Sequence, residues 1–227
     1  MINELVLTTD GSHTLRSQQF GVEYHSVHGA VQESMHVFIN TGLLPLLERG
    51  DKEVRILEMG FGTGLNALLV RQIAQQRPDI NFVYHTYEQY PVSPVEVAAL
   101  NYPGQIGVAA NVFFELHDCG WNDSIALDPN FTFCKRRADY LTDTDRPYAP
   151  GAVDLIFYDA FAPSSQPEFW EPEGLAVSYA ALSPGGVLVT YCAKGQFKRN
   201  LRSVGFTVVP MPGPPGKREM TKGIVEA

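Results

Sequence analysis

The sequence predicts an α/β domain with a mainly parallel sheet, and two observations carry that prediction. From residue 51 onward, short apolar runs alternate with helix-like segments, the pattern of strands joined by crossover helices. The first such run, Val54 to Leu57, passes through Glu58-Met59-Gly60-Phe61-Gly62-Thr63-Gly64 into Leu65-Asn66-Ala67-Leu68-Leu69-Val70, which reads as strand, tight turn and helix. The 227 residues are 44% hydrophobic and 19% charged, enough to bury one such core and too apolar for global disorder.

Taken in order, residues 1–29 read as a β extension. Leu5 to Thr9 is β-rich, Asp10-Gly11 is a turn signal, and Thr14 to Tyr24 returns as a second strand. Residues 30–49 are helical in spacing, with a break or a second short helix expected at Gly42 and Pro45. Residues 1–50 are therefore set apart as an N-terminal β/α extension, and 51–227 as a Rossmann-like domain. Val54–Glu58 is the first core strand, Asn66–Gln76 a helix and Asn81–Tyr87 the second strand. Ser93 and Pro94 supply an N-cap and first position for a helix reaching Asn101. Residues 102–129 give no readable period. Asn130–Arg137 and Ala152–Tyr158 are strands, Glu173–Leu182 a helix, Ser183–Gly186 a turn and Val187–Cys192 a strand. Lys194–Val204 is a basic helix. Phe206–Val209 and Met220–Glu226 close the chain as two strands around a Gly/Pro-rich loop, so the last strand is expected to be antiparallel.

The glycine turn carries the first chemical signal. Glycines let the backbone turn sharply and leave no side chain between it and a ligand, and the helix that follows offers unpaired N–H groups. The spacing is GxGxG rather than the dinucleotide GxGxxG. With Glu58 before it, this favours S-adenosylmethionine over a nicotinamide cofactor and makes Gly60, Phe61, Gly62, Thr63, Gly64 and Asn66 candidate cofactor residues. In open parallel sheets the ligand lies beyond the carboxyl ends of the strands. Glu58, Glu88, Asp139 and Asp159 fall at or just past such ends. Glu88 suits the ribose hydroxyls, Asp139 the adenine amino group and Glu58 the turn or the methionine amino group. Asp159 suits the place where cofactor and substrate meet. A positively charged sulfonium fits this acidic set.

Charge is unevenly distributed. The net charge of −8 argues against nucleic-acid binding by itself. Yet residues 190–227 hold seven Lys and Arg against two Glu, including Lys194, Lys198, Arg199, Lys217 and Arg218. Such an end can face phosphate, or can be a solvated helix face and a charged loop. Cys119, Cys134 and Cys192 lack metal-ligand spacing and suit a reducing cytoplasm. His13, His25, His28 and His36 do not demand a metal, and none is expected. No run approaches a membrane span, and the N-terminus shows no secretory signal.

Several stretches resemble the methyltransferase domain of MnmC and its stand-alone MnmD-type relatives. They are the Glu58-to-Gly64 turn, Asp159-Ala160-Phe161-Ala162-Pro163 with Gln166-Pro167-Glu168-Phe169-Trp170, and Lys217-Arg218-Glu219-Met220. Tyr24-His25-Ser26, Glu33-Ser34 and His36-Val37-Phe38 add to them. The resemblance implies a class I S-adenosylmethionine-dependent methyltransferase that N-methylates the 5-aminomethyl group of wobble (2-thio)uridine in tRNA. It also implies no flavin domain in this chain. Asp159 would bind and orient the amine. Phe161 and Trp170 would stack on a flipped-out base or pack in the core. Lys217 and Arg218 would lie over the pocket, Lys194, Lys198 and Arg199 would meet the tRNA backbone, and Tyr24, Ser26 and Glu33 would help close the site. Three other readings stay open: an aminopropyltransferase of the spermidine-synthase type, a small-molecule amine methyltransferase and a non-catalytic module.

Overall fold

The computed structural model describes residues 2–227. An eight-stranded sheet runs in the order β5-β6-β4-β3-β7-β8-β10-β9. Its strands are β3 (Glu53–Met59), β4 (Asn81–Tyr87), β5 (Ser124–Asp128), β6 (Phe131–Arg136), β7 (Val153–Tyr158), β8 (Leu182–Thr190), β9 (Thr207–Pro212) and β10 (Glu219–Ile224). The five central strands, β6 to β8, are mutually parallel. β10 slots between β8 and β9 antiparallel to both, as the helix-free return at the end of the chain predicts.

The chain builds outward from β3 to β4 and β6, then crosses to β7 on the other side of β3. That reversal opens a crevice at the carboxyl end of β3. Apolar cores cover both sheet faces, which is why β3 and β7 carry near-continuous apolar runs rather than alternation. One core includes α3 (Leu65–Gln76) and α6 (Ala110–Asp118). The other includes α7 (Pro172–Ala181), α8 (Gly195–Ser203) and the 3₁₀ turn Pro167–Trp170.

Four local expectations change. Ala30 to Leu47 is uninterrupted: α1 (Ala30–Ser34), a π-helical stretch (Met35–Leu43) and α2 (Leu44–Leu47) follow end to end. Gly42 makes no break. A Cβ there would stand 3.0 Å from Val189 and 3.3 Å from Leu155, so the missing side chain lets the helix lie close on the sheet. The returning N-terminal strand is short. β1 (Glu4–Leu7) pairs with β2 (His13–Arg16), and the chain beyond crosses towards the glycine turn. Ser183–Gly186 lies inside β8, where the register with β7 slips from Val153↔Leu182 to Leu155↔Val187. Residues 102–129 hold α5 (Tyr102–Ile106), α6 and the edge strand β5. The buried Arg71 of α3 ties them down, reaching Glu115 and Asp128 at 2.6 Å each and the Val112 carbonyl at 2.8 Å. α4 (Pro94–Ala99) begins as read, Ser93 and Glu96 forming a reciprocal capping box.

Candidate functional site

The crevice at the end of β3 is a cleft of about 750 Å³. The backbone ladder fixes its rim. The Gly60 and Phe61 N–H groups donate to the Tyr87 carbonyl, the Glu88 N–H donates to the Arg136 carbonyl, and the Asp159 N–H donates to the Met59 carbonyl. Gly60, Gly62 and Gly64 all have positive φ, at 94°, 51° and 77°. Two of them show why a side chain is excluded. A Cβ at Gly60 would stand 2.9 Å from the Asp159 carbonyl oxygen, and one at Gly64 would stand 2.7 Å from the His117 ring. The sequence therefore reserves glycine where the turn packs on its neighbours.

Three of the four predicted carboxylates line this cleft: Glu88, Asp139 and Asp159. Glu88 grips the glycine turn, accepting from the Gly62 N–H at 2.9 Å and from the Tyr90 N–H at 2.7 Å. Burial raises its carboxyl above the ordinary value, against these two donors. Each oxygen keeps a lone pair for a further donor such as a ribose hydroxyl. Asp139 Oδ1 accepts from the Leu141 N–H at 2.8 Å, closing a local turn. Asp159 Oδ2 accepts from Asn66 Nδ2 at 2.9 Å. Burial pushes the Asp159 carboxyl well above the usual range, and the negative charges of Glu58 and Glu33 add to that. An ordinary carboxylate is a weak base towards an alkylammonium; this environment narrows the gap.

Of the two roles expected for Glu58, its placement suits the turn and not the amino group. It is fully buried behind the cleft wall, where it accepts from the Thr86 hydroxyl at 2.7 Å. Burial takes its carboxyl up to about 8. It therefore supports the turn from below rather than meeting a ligand. Asn66, also buried, lines the cleft, and its Oδ1 has no hydrogen-bond partner among the described residues. That oxygen is enclosed, as is the unpartnered Glu58 Oε1, so Asn66 bears on a ligand through the bond by which its Nδ2 holds Asp159.

The other predicted residues divide by geometry. Gly60, Phe61, Gly62 and Thr63 line the cleft, whereas Gly64 packs behind it against His117 and Phe61. The Phe61 ring packs on His117 and Phe133, and the Thr63 hydroxyl lies 2.8 Å from His25 Nε2 and 3.1 Å from the Tyr102 hydroxyl. These two side chains therefore hold the turn, leaving mainly backbone for a ligand. Burial takes His25 down to about 4, so its imidazole is neutral at physiological pH.

Phe161 stands on the wall shared with a neighbouring cavity and packs against Phe20 and Tyr24 at 4.8 and 5.0 Å between ring centroids. Trp170 takes its packing alternative and not the stacking one. It is 2% exposed and lodged against Tyr158 and Phe197, and its indole N–H donates to the Phe161 carbonyl at 2.8 Å. It braces the loop that presents Phe161.

The basic residues are also sorted. Lys217 is turned inward onto Glu33, and Lys198 pairs with Glu219 at 2.8 Å. Lys194 and Arg218 line a third, open cavity of about 1070 Å³ together with Lys217. Arg199 is exposed and bonds Gln196 on its own helix. Tyr191, just past β8, borders both outer cavities and was absent from the predicted set. Its signal was the strand-end rule applied to Val187–Cys192. Phe20, Tyr90 and Gln166 also line the cleft, from loops that carry no period. No cluster of His, Cys, Asp or Glu among the described residues is disposed to hold a metal, and no described helix is long and apolar enough to cross a membrane.

A family of S-adenosyl-L-methionine-dependent methyltransferases matches residues 139–226. The chain is 31% identical over 222 residues to the tRNA 5-methylaminomethyl-2-thiouridine biosynthesis bifunctional protein MnmC of Chromohalobacter salexigens, covering 92% of this chain and 31% of that protein. The MnmC protein of Aromatoleum aromaticum is 31% identical over 231 residues, covering 96% of this chain and 35% of its own. The chain thus spans about a third of the length of the curated relatives it matches. Among solved structures, MNMC2 from Aquifex aeolicus superposes with a TM-score of 0.81 at 23% identity, over 99% of this chain and 70% of that one. A probable spermidine synthase from Corynebacterium glutamicum gives 0.55 at 21% identity, over 98% and 75%. Both structures share the fold. Over 92% of its length the chain is therefore MnmC-like, with the fold of an S-adenosyl-L-methionine-dependent methyltransferase domain.

Proposed function

We propose that this chain methylates the amine of a 5-aminomethyl group on wobble uridine or 2-thiouridine in tRNA, with S-adenosylmethionine as donor. One observation carries the reading: Asp159, held by Asn66, stands on the wall shared by the glycine-turn cleft and the cavity beyond it. A donor in the first and an acceptor in the second would meet at that carboxylate.

The residues fit the donor. The glycine turn leaves backbone open, Glu88 suits ribose hydroxyls, Asp139 suits an adenine amino group, and Asp159, held by Asn66, suits an ammonium. When bound, S-adenosylmethionine would supply an activated methyl on sulfonium sulfur for transfer to the acceptor nitrogen, the C–S electron pair leaving with the sulfur. The protein's own task is positioning and proton management. Asp159 orients the nitrogen and takes the proton that an alkylammonium must lose before it has a lone pair. Phe161, braced by Trp170, offers a ring face towards the acceptor cavity. Arg218 and Lys194 at the open cavity, with Arg199 outside it, suit phosphates of a polynucleotide.

The test compares acceptors. Methyl-labelled S-adenosylmethionine is incubated with the protein and either bulk tRNA from cells lacking this modification or putrescine. Label on tRNA supports the proposal. Label only on free amines overturns it in favour of a small-molecule amine methyltransferase. No label on either acceptor, with putrescine gaining an aminopropyl group when decarboxylated S-adenosylmethionine is the donor, overturns it in favour of a polyamine-type enzyme.

A further inference from the structure

Beside the cleft lies a cavity of about 750 Å³ whose wall includes Asp159, Phe161, Tyr191, Glu33 and Lys217. The chain itself places a ligand-like group there. The Lys217 ammonium lies 2.7 Å from Glu33 Oε1 and 4.0 Å from the centroid of the Tyr191 ring. Its receptor is held by hydrogen bonds. Glu33 is buried, and its Oε2 accepts from the Ser26 N–H at 2.8 Å, which turns Oε1 towards the lysine. The Tyr191 hydroxyl donates to the Ala160 carbonyl at 2.8 Å, which fixes the ring. Lys217 is the adjustable member, 35% exposed and carried on the loop between β9 and β10. A carboxylate beside an aromatic face recognises any primary alkylammonium. What occupies it is a CH₂–NH₃⁺ group, the same head group that a protonated aminomethyl substituent presents.

We propose that Glu33 and Tyr191 form an alkylammonium subsite, that Lys217 fills it as a place-holder, and that the substrate's aminomethyl group displaces Lys217 on its way to Asp159. The inference rests on the function proposed above and names how that site takes its acceptor. The exchange conserves charge at Glu33, one ammonium replacing another. The displaced Lys217 already borders the open cavity that holds Lys194 and Arg218, where a substrate phosphate gives it a new partner. A tRNA supplies amine and phosphate together, whereas a small free amine supplies nothing to retain the expelled lysine. The place-holder thus favours a nucleic-acid-borne amine over a free one.

The experiment is calorimetric titration of free 5-aminomethyluridine into the full chain saturated with S-adenosylhomocysteine, with 5-methyluridine as the control that lacks the amine. Lys217→Met removes the competing charge and keeps the side chain's length. It should bind the aminomethyl nucleoside at least ~10-fold more tightly than the wild type. Glu33→Gln keeps an oxygen for the Ser26 N–H and should lose the preference for the aminomethyl nucleoside over the control. The control should bind all three proteins alike. Equal affinity of the aminomethyl nucleoside for all three, or weaker binding to Lys217→Met, overturns the subsite. If Glu33→Gln fails to fold, the Lys217→Met comparison decides alone. If the nucleoside binds as expected but no methyl reaches tRNA, the proposed function fails and the subsite stands.

Discussion

Replacing Asp159 by Asn isolates the charge at the junction of the two cavities. The side chain keeps its size, and its remaining oxygen can still accept from Asn66 Nδ2, now at 2.9 Å from the carboxylate. The backbone N–H bond to the Met59 carbonyl is untouched, so the glycine turn keeps its shape. What disappears is the group that orients the acceptor and takes its proton. Such groups contribute ~10²- to 10⁴-fold to rate, or about 3–5 kcal/mol of barrier. At saturating S-adenosylmethionine, single-turnover methylation of tRNA should slow by that amount, while calorimetry should still show the cofactor bound through the glycine turn, Glu88 and Asp139. Burial raises the wild-type carboxyl well above the usual range, so the wild-type rate should fall as pH drops through that raised value. The Asn variant should lack this acid limb. A near-normal single-turnover rate, or an unchanged acid limb in the variant, would remove Asp159 from the mechanism.

Three further outcomes follow from the same geometry. Gly60→Ala puts a Cβ 2.9 Å from the Asp159 carbonyl oxygen at a φ of 94°; thermal melts should show a loss of ~1–3 kcal/mol, and calorimetry weaker cofactor binding. Glu58 titrates near 8 when folded and near 4.5 when unfolded, so its contribution is fully present below pH 4.5 and is lost as pH rises towards 8, by at most about 5 kcal/mol. Glu58→Gln should flatten stability against pH across that window, as denaturant titrations will show; parallel curves for the two proteins would contradict the buried placement. Finally, tRNA affinity should fall steeply with salt. Arg218→Ala and Lys194→Ala should each reduce the log–log slope by about one, whereas Lys198→Ala, already paired with Glu219, should change it less.

Where the sequence carried a strong period or an obligatory backbone residue, the fold was legible. Asn81–Tyr87 is a strand to the residue because an apolar run is bounded by polar ends. The glycine turn was legible because its positive φ angles admit little else. Residues 102–129 were not, because α6 buries Val112, Phe113 and Leu116 within a single turn and a half, too short a stripe to stand out. Their anchor is Arg71, which lies in another element and leaves no local signal. Gly42 misled for a related reason: a glycine needed for helix-on-sheet contact looks like a breaker until the sheet is present.

The same division runs through the site. Strand ends placed Glu88, Asp139 and Asp159 on one cleft, since the parallel ladder fixes where each strand stops. Glu58 sits within β3 rather than beyond it, and the pleat directs its side chain into the core. Lys217 looked like a phosphate ligand because its partner Glu33 is remote in sequence. For Trp170 the sequence left base stacking and core packing both open, and only the packing of β7 against α8 shows that its indole is enclosed.

The central claim is that an acidic cleft at one end of the sheet presents a methyl donor to a tRNA-borne amine at Asp159. Mass spectrometry of nucleosides, from tRNA incubated with the protein and S-adenosylmethionine, measures this directly. The predicted result is a gain of one methyl group on 5-aminomethyl(2-thio)uridine and on no other nucleoside, abolished by Asp159→Asn. An unchanged nucleoside profile with the cofactor demonstrably bound, or methylation of a different nucleoside, would contradict it.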